Sequence, residues 1–166
     1  ADGVVSLKGF KMRSVPIYDA FLKSLGATTM TVQVPEIYNA LERGLVDGFP
    51  FPNLFTRKFG WNKYVKYTVF PSFYQLEPCI FITNKALNKL SSKGRAIMLE
   101  LGADWEKISY GIWLQQVAKE RVIYKKGGTK EIVMKGAAAK KYLDLANTTP
   151  IQRLKKVGSA EAKKLS

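Results

Sequence analysis

The stretch "FKMRSVPIYDAFLKSLGATTMTVQVPEIYNALERGLVDGF", residues 10–49, twice changes from a strand-like to a helical pattern. "FKMRSV" predicts a short strand, and the next helix begins near Pro16 and ends before Gly26, because proline suits a first helical turn and glycine follows a last one. "TMTVQV" alternates like a half-buried strand, and Pro35 opens a second helix. "LVDGF" predicts a third short strand or a turn. The order β-α-β-α-β is typical of a mainly parallel sheet, so we predict an α/β fold.

Composition excludes most enzyme chemistries. The chain has 166 residues, 46% of them hydrophobic, which suits an ordinary domain with its own core. It has no histidine and one cysteine, which excludes disulfides within the chain, thiolate-rich zinc sites and Cys/His or Ser/His catalysis. Cys79 lies in the apolar run "EPCIFITN", and we expect a buried thiol there. Neither common phosphate loop occurs, and Glu36 and Asp47 suit cap and turn roles, so we predict no catalytic residue, no cofactor and no metal ligand.

Hydropathy and charge bear on membranes and partners. No stretch approaches the roughly 20 apolar residues of a membrane span, and no signal peptide is visible, although a mature or truncated chain would show none either. The net charge of +14 lies mostly from Lys119 to the end of the sequence, where there are 13 Lys and Arg and 4 Asp and Glu. Two predicted basic helices, "AAAKKYLDLA" and "IQRLKKVGSAEAKKL", could bind nucleic acid or an anionic membrane, but we favour a solvated surface because no recognised motif accompanies them.

After residue 48 the sequence contains an aromatic segment and then a predicted long helix. Ten of the chain's twenty aromatic residues fall within residues 49–74. Those in "KYVKYTVF" suit a core strand, whereas the prolines of "GFPFPNLF" leave its phenylalanines on a loop. "LEPCIFIT" predicts a buried strand, Asn84 and Ser91 are expected to cap a short helix and a long amphipathic one over 92–126, and "KEIVMKG" predicts a late strand.

Arg13 is the strongest candidate for a binding residue. Its neighbours predict a partly buried strand, and the helix that begins near Pro16 directs free N–H groups and the positive end of its dipole to the same place. A guanidinium grips a carboxylate with two parallel hydrogen bonds. The site would therefore hold an organic acid without reacting with it, although a solvated surface arginine is the alternative.

Residues 7–49, "LKGFKMRSVPIYDAFLKSLGATTMTVQVPEIYNALERGLVDGF", resemble the central signature of the DctP-like solute-binding proteins of TRAP transporters. The matching pattern is a "LKG-K-R" strand, a helix ending in "LGA", a strand, and "E-Y-AL--G-VDG" before a loop. The resemblance implies a periplasmic-binding-protein-like lobe of the type II kind, belonging to a two-lobed receptor that closes on a small organic acid and delivers it to a sodium-coupled permease.

The resemblance also implies the ligand-binding residues. Arg13 matches the arginine that pairs with the ligand carboxylate, and Val34 matches a position that packs on the ligand. Where many members carry a polar "Q-E-N-P", this chain has "FPFP", so Phe49 and Phe51 favour an aromatic, branched or keto acid over a sugar acid. Phe73 and Tyr74 fall where a further ligand-facing side chain is expected.

Family members are about twice as long as this chain, and the resemblance begins at their second lobe. It implies that residues 1–72 form the ligand-binding second lobe, and that residues 73–166 form a crossover strand, the long helix and C-terminal helices that pack on an N-terminal lobe. We therefore expect exposed apolar surface that the other lobe or self-association would cover. The implied partners are a keto, aromatic or dicarboxylic acid and the TRAP permease subunits, and the implied location is the periplasm.

Overall fold

The computed structural model describes residues 3–75 and 79–157, and its first elements are the predicted strand, helix and strand. Strand β1 (Lys11–Ser14), helix α1 (Pro16–Ser24) and strand β2 (Thr28–Thr31) follow one another, and the two strands are parallel. Pro16 begins α1, and Gly26, with φ of +92°, follows its end. Both helix signals read from the sequence are therefore confirmed.

The next elements are shorter than predicted. A 3-10 turn (Val34–Glu36) leads into helix α2 (Ile37–Glu42). The expected third strand is reduced to a single parallel bridge between Met12 and Gly48. The order β-α-β-α-β is present, with one bridge in place of its last strand.

Two groups of buried side chains form the core. The first core cluster joins α1 to the C-terminal part of the chain and consists of Phe21, Leu25, Met134, Tyr142 and Ala146. The second core cluster lies around α2 and consists of Val32, Ile37, Ala40, Val46 and Trp61.

A second parallel pair of strands leads to the C-terminal helix. Strand β3 (Tyr67–Phe70) pairs with strand β4 (Lys130–Val133), so the described strands form two separate two-stranded parallel sheets. One helix, α5 (Gly136–Val157), follows β4 and contains Pro150, so the prediction of two basic helices is wrong for the described residues. The helix continues through Pro150 because its Tyr142 and Ala146 are buried in the first core cluster, and this burial offsets the helical hydrogen bond that a proline removes. Residues 158–166 of that prediction lie outside the described residues.

The long helix has the predicted bounds. Helix α3 (Asn84–Leu87) precedes helix α4 (Ser92–Lys126). The Oγ of Ser91 accepts a hydrogen bond from the N–H of Gly94 at 3.1 Å, which confirms its capping role. Thr83, rather than Asn84, caps α3 by accepting from the N–H of Ala86 at 3.2 Å.

The prediction of a buried strand in "LEPCIFIT" is wrong over residues 79–83, and residues 76–78 lie outside the described residues. The segment belongs to no strand, Ile80 is 91% exposed and Phe81 is 90% exposed. Cys79 is exposed as well, which corrects the expectation of a buried thiol. An apolar run is buried only where another element covers it, and nothing in residues 3–75 or 79–157 covers this one.

The described chain separates into two compact units. One contains residues 3–75 and 124–157, and the other contains residues 79–123. The pairing of β3 with β4 places residues 124–157 in the first unit. In the second unit, the apolar stripe of α4 is exposed, namely Ile97, Leu101, Trp105, Ile108 and Ile112. None of the described helices combines the length and the apolar character needed to cross a membrane.

Candidate functional site

The candidate site lies where the parallel strands of the first sheet end. Arg13 is the third residue of β1, Val32 directly follows β2, and Gly48 forms the bridge to β1. The backbone N–H of Arg13 donates to the carbonyl of Gly48 at 2.8 Å, which fixes the three chain segments side by side. The segments that follow these strands therefore leave at one sheet edge, the carboxyl edge at which ligands of parallel α/β proteins bind.

Arg13 is buried, and the described part of the chain gives it no counter-ion. The residue is 4% exposed, and its Nε donates to the carbonyl of Val32 at 2.8 Å. The two terminal nitrogens make no hydrogen bond or ion pair within residues 3–75 and 79–157. Burial lowers the pKa of Arg13, yet a guanidinium remains charged. A buried charge is costly when it is unpaired, so this arrangement favours the arrival of an anion.

The acidic side chains of the neighbouring segments have other partners. Asp19 forms an ion pair with Lys23 at 2.7 Å. Glu36 accepts a backbone hydrogen bond at 3.3 Å within a capping box, and Asp47 accepts one from the N–H of Lys11 at 2.7 Å. The predicted capping role of Glu36 is confirmed, whereas the carboxylate of Asp47 bonds to the backbone of β1 rather than within its own turn. These three carboxylates are not the counter-ion of Arg13.

The beginning of α1 lies beside the same strand end. Val15 is the N-cap residue, and its side chain makes no capping hydrogen bond to the helix. The first-turn N–H groups and the positive end of the helix dipole favour a negative charge near this point. Two residues separate Arg13 from Pro16, so the dipole and the guanidinium act on one small region.

Tyr18 is a site residue that the sequence reasoning missed. It lies in the first turn of α1 and is half-buried. Burial and Tyr74 raise the pKa of Tyr18, whereas the guanidinium of Arg13 acts in the opposite direction. The signal available in the sequence was an aromatic residue five positions after the candidate arginine, on the helix that begins beside it.

Three of the predicted apolar site residues pack against the second core cluster. Val34, Phe49 and Phe51 are half-buried and pack against it. The ring centroid of Trp61 lies 5.0 Å from that of Phe49 and 4.8 Å from that of Phe51. Val34 follows β2 and Phe49 follows the Gly48 bridge, so the structure brings both to the sheet edge at which Arg13 lies.

The other two predicted apolar residues contact Tyr18. The ring centroid of Tyr18 lies 5.5 Å from that of Phe73 and 5.4 Å from that of Tyr74, both in edge-to-face geometry. Phe73 also packs on Phe21 of the first core cluster, with centroids 4.6 Å apart. Arg13 therefore bonds to Val32 of the second core cluster, and Tyr18, on the helix that follows Arg13, packs on Phe73.

This arrangement suits binding more than catalysis. It provides one buried cation, a helix N-terminus and aromatic surface, which together complement a carboxylate attached to an apolar body. Within the described residues, no group of three or more Cys, Asp or Glu side chains is arranged to hold a metal ion.

Comparison with known proteins gives a family. The model of the bacterial extracellular solute-binding proteins, family 7 (DctP), matches residues 3–144. Solute-binding protein RD1_1052 of Roseobacter denitrificans is 25% identical over 134 residues, which cover 80% of this chain and 41% of that protein. The chain thus spans less than half the length of this curated relative.

Solved structures show the same fold. A TRAP periplasmic solute-binding protein from Rhodoferax ferrireducens, with bound malonate, superimposes with a TM-score of 0.81 at 22% identity, covering 96% of this chain and 51% of that one. Another TRAP periplasmic solute-binding protein, from Desulfovibrio salexigens with bound orotic acid, superimposes with a TM-score of 0.85 at 18% identity. The match covers 98% of this chain and 54% of that one. The predicted α/β lobe of the periplasmic-binding-protein kind is confirmed, and nothing in these comparisons supports the nucleic-acid-binding alternative.

Proposed function

Because this chain belongs to family 7 of the bacterial extracellular solute-binding proteins, we propose that it is the carboxylate-binding part of a TRAP-type receptor for a small organic acid. The observation that carries the proposal is Arg13, a residue that is 4% exposed and whose guanidinium has no ion-pair partner within the described residues. A ligand carboxylate would supply the missing negative charge.

The ligands of two structural relatives support the same chemistry. Malonate and orotic acid differ in size and shape, but both carry a carboxylate. The segment after Gly48 indicates the chemical nature of the rest of the ligand, to which the carboxylate is attached. Phe49 and Phe51 place aromatic rings against Trp61, so this part of the wall offers no polar side chain for sugar hydroxyls. We propose an acid with an apolar body, aromatic, branched or simple keto, with Val34, Phe73 and Tyr74 completing the wall.

The proposal extends to partners and location. The receptor would act without catalysis in the periplasm and deliver its ligand to TRAP permease subunits. The exposed apolar side chains of the second unit would be covered by the part of the receptor that its longer relatives possess and this chain does not span.

Isothermal titration of the complete gene product tests the proposal. The probes are malonate, orotate, 3-hydroxybenzoate and D-glucuronate. We expect at least one to bind and Arg13→Ala to weaken that binding by about 30-fold or more, because truncating one partner of a buried charge pair costs roughly 2–5 kcal/mol.

The matched control is Arg43→Ala. Arg43 is an exposed cation at the end of α2, and its loss should leave the affinity within about twofold. Equal affinities for wild type and Arg13→Ala would contradict the proposal, and so would the failure of all four acids to bind.

A further inference from the structure

The hydroxyl of Tyr18 is a second polar group at the site without a protein partner. Its ring is held by two edge-to-face contacts, but its oxygen makes no hydrogen bond to any residue in 3–75 or 79–157. A half-buried phenol normally finds a partner for its hydroxyl. Tyr18 lies in the first turn of α1, which begins three residues after the strand position of Arg13, so the unpartnered hydroxyl and the unpaired guanidinium belong to the same end of the sheet. The effect of the guanidinium on the pKa of Tyr18 agrees with this placement.

A carboxylate bound by Arg13 would still need a hydrogen bond from a second donor. A guanidinium has five N–H donors, and the Nε donor is already engaged by the carbonyl of Val32. A carboxylate can therefore approach only the two terminal nitrogens. It has about four acceptor positions on its two oxygens, so a two-pronged contact with Arg13 leaves acceptors that need another donor.

Tyr18 is suited to be that donor. A tyrosine phenol is protonated at neutral pH, so its O–H can donate to an anion. The packing also keeps the ring in place, because Phe73 contacts both Tyr18 and Phe21 of the first core cluster. A donor that is already positioned loses little conformational freedom when the ligand binds.

We infer that Tyr18 is a ligand-binding residue whose hydroxyl donates a hydrogen bond to the carboxylate held by Arg13. This inference rests on the proposed function and names the second polar contact of the same site. It also gives Phe73 and Tyr74 a second role beside the apolar wall proposed for them, because they position the Tyr18 ring. The recognised group is a single carboxylate, held by one cation and one neutral donor.

Tyr18→Phe is the decisive variant, because it removes the hydroxyl and keeps the ring. The complete gene product is titrated with the tightest binder among malonate, orotate, 3-hydroxybenzoate and D-glucuronate. We expect the affinity to fall about 10- to 100-fold, the loss that accompanies removal of one hydrogen bond to a charged group. The unfolding temperature without ligand should stay within about 2 °C of wild type, since no described residue bonds to that oxygen.

Tyr67→Phe is the matched control. Tyr67 is an exposed tyrosine at the start of β3, and the same substitution there should leave the affinity unchanged. If Tyr18→Phe binds within twofold of wild type while Arg13→Ala abolishes binding, the role of Tyr18 is refuted and the proposed function stands. If none of the four acids binds the wild-type protein, both are overturned.

Discussion

Replacing Trp61 with alanine should remove much of the stability of the first unit. Trp61 is 1% exposed, and its ring lies within 5.0 Å, between centroids, of the rings of Phe49, Phe51 and Phe59. A buried tryptophan removes up to about 250 Å² from water, worth about 6 kcal/mol at ~25 cal/mol per Å² as an upper bound. Core Trp→Ala substitutions cost roughly 3–5 kcal/mol, so we expect a loss of about 4 kcal/mol in the free energy of unfolding.

Urea denaturation measures this loss. Near-ultraviolet circular dichroism is a suitable signal, because ten aromatic residues of the first unit lie within residues 49–74. With a denaturant slope of about 2 kcal/mol per molar urea, Trp61→Ala should lower the midpoint by roughly 2 M. Trp105→Ala is the matched control: Trp105 is 52% exposed on α4, and its loss should cost under about 1 kcal/mol. A loss below about 1 kcal/mol for Trp61→Ala, or equal losses for both variants, would refute the assignment of Trp61 to the core.

Three further outcomes can be measured on the same protein. Gly26→Ala should destabilise it by about 1–2 kcal/mol in urea denaturation because φ there is +92°, whereas Gly102→Ala, in open space on α4, should stabilise by up to about 1 kcal/mol; similar effects at both sites would contradict this. Lys23 donates a hydrogen bond to Asp19 that lowers the pKa of this carboxyl. The carboxylate therefore stabilises the fold above about pH 4, and this stabilisation is lost as the pH falls through the lowered pKa. Asp19→Asn should make the free energy of unfolding depend less on pH in the acid range, and an unchanged dependence would count against this explanation. Cys79 should react with a thiol reagent without denaturant, and labelling only after unfolding would indicate burial instead.

Local signals were enough to predict the elements of the first fifty residues. Pro16 and Gly26 mark the limits of α1 by their backbone preferences alone, and alternation marks β2. The third strand could not be predicted as a single bridge, because the number of residues that pair depends on the path of the loop after Gly48. The same limit applies to "LEPCIFIT", since an apolar run shows that a segment is suited to burial but not what covers it.

The site was predicted unevenly for a similar reason. Arg13 is an isolated cation between apolar neighbours, which is visible in the sequence, and the structure shows it buried. Tyr18 gained its significance from rings at positions 73 and 74, more than fifty residues further along the chain. Phe49 and Phe51 were expected on a loop that faces ligand, and the structure adds Trp61 as their packing partner.

The two parallel strand pairs can form at different stages of synthesis, because their partner strands lie at different distances along the sequence. In the first pair Lys11 faces Thr28, whereas in the second pair Tyr67 faces Lys130, so closing the second loop costs about 1 kcal/mol more in chain entropy. The strands beside Arg13 can therefore associate before the residues of β4 and α5 have been synthesised. The first core cluster is complete only when Tyr142 of α5 packs on Phe21. A nascent chain that has β1, α1 and β2 but not yet α5 thus carries the proposed anion-binding edge beside an incomplete core, and Phe21 stays open to proteases and chaperones until α5 has been made.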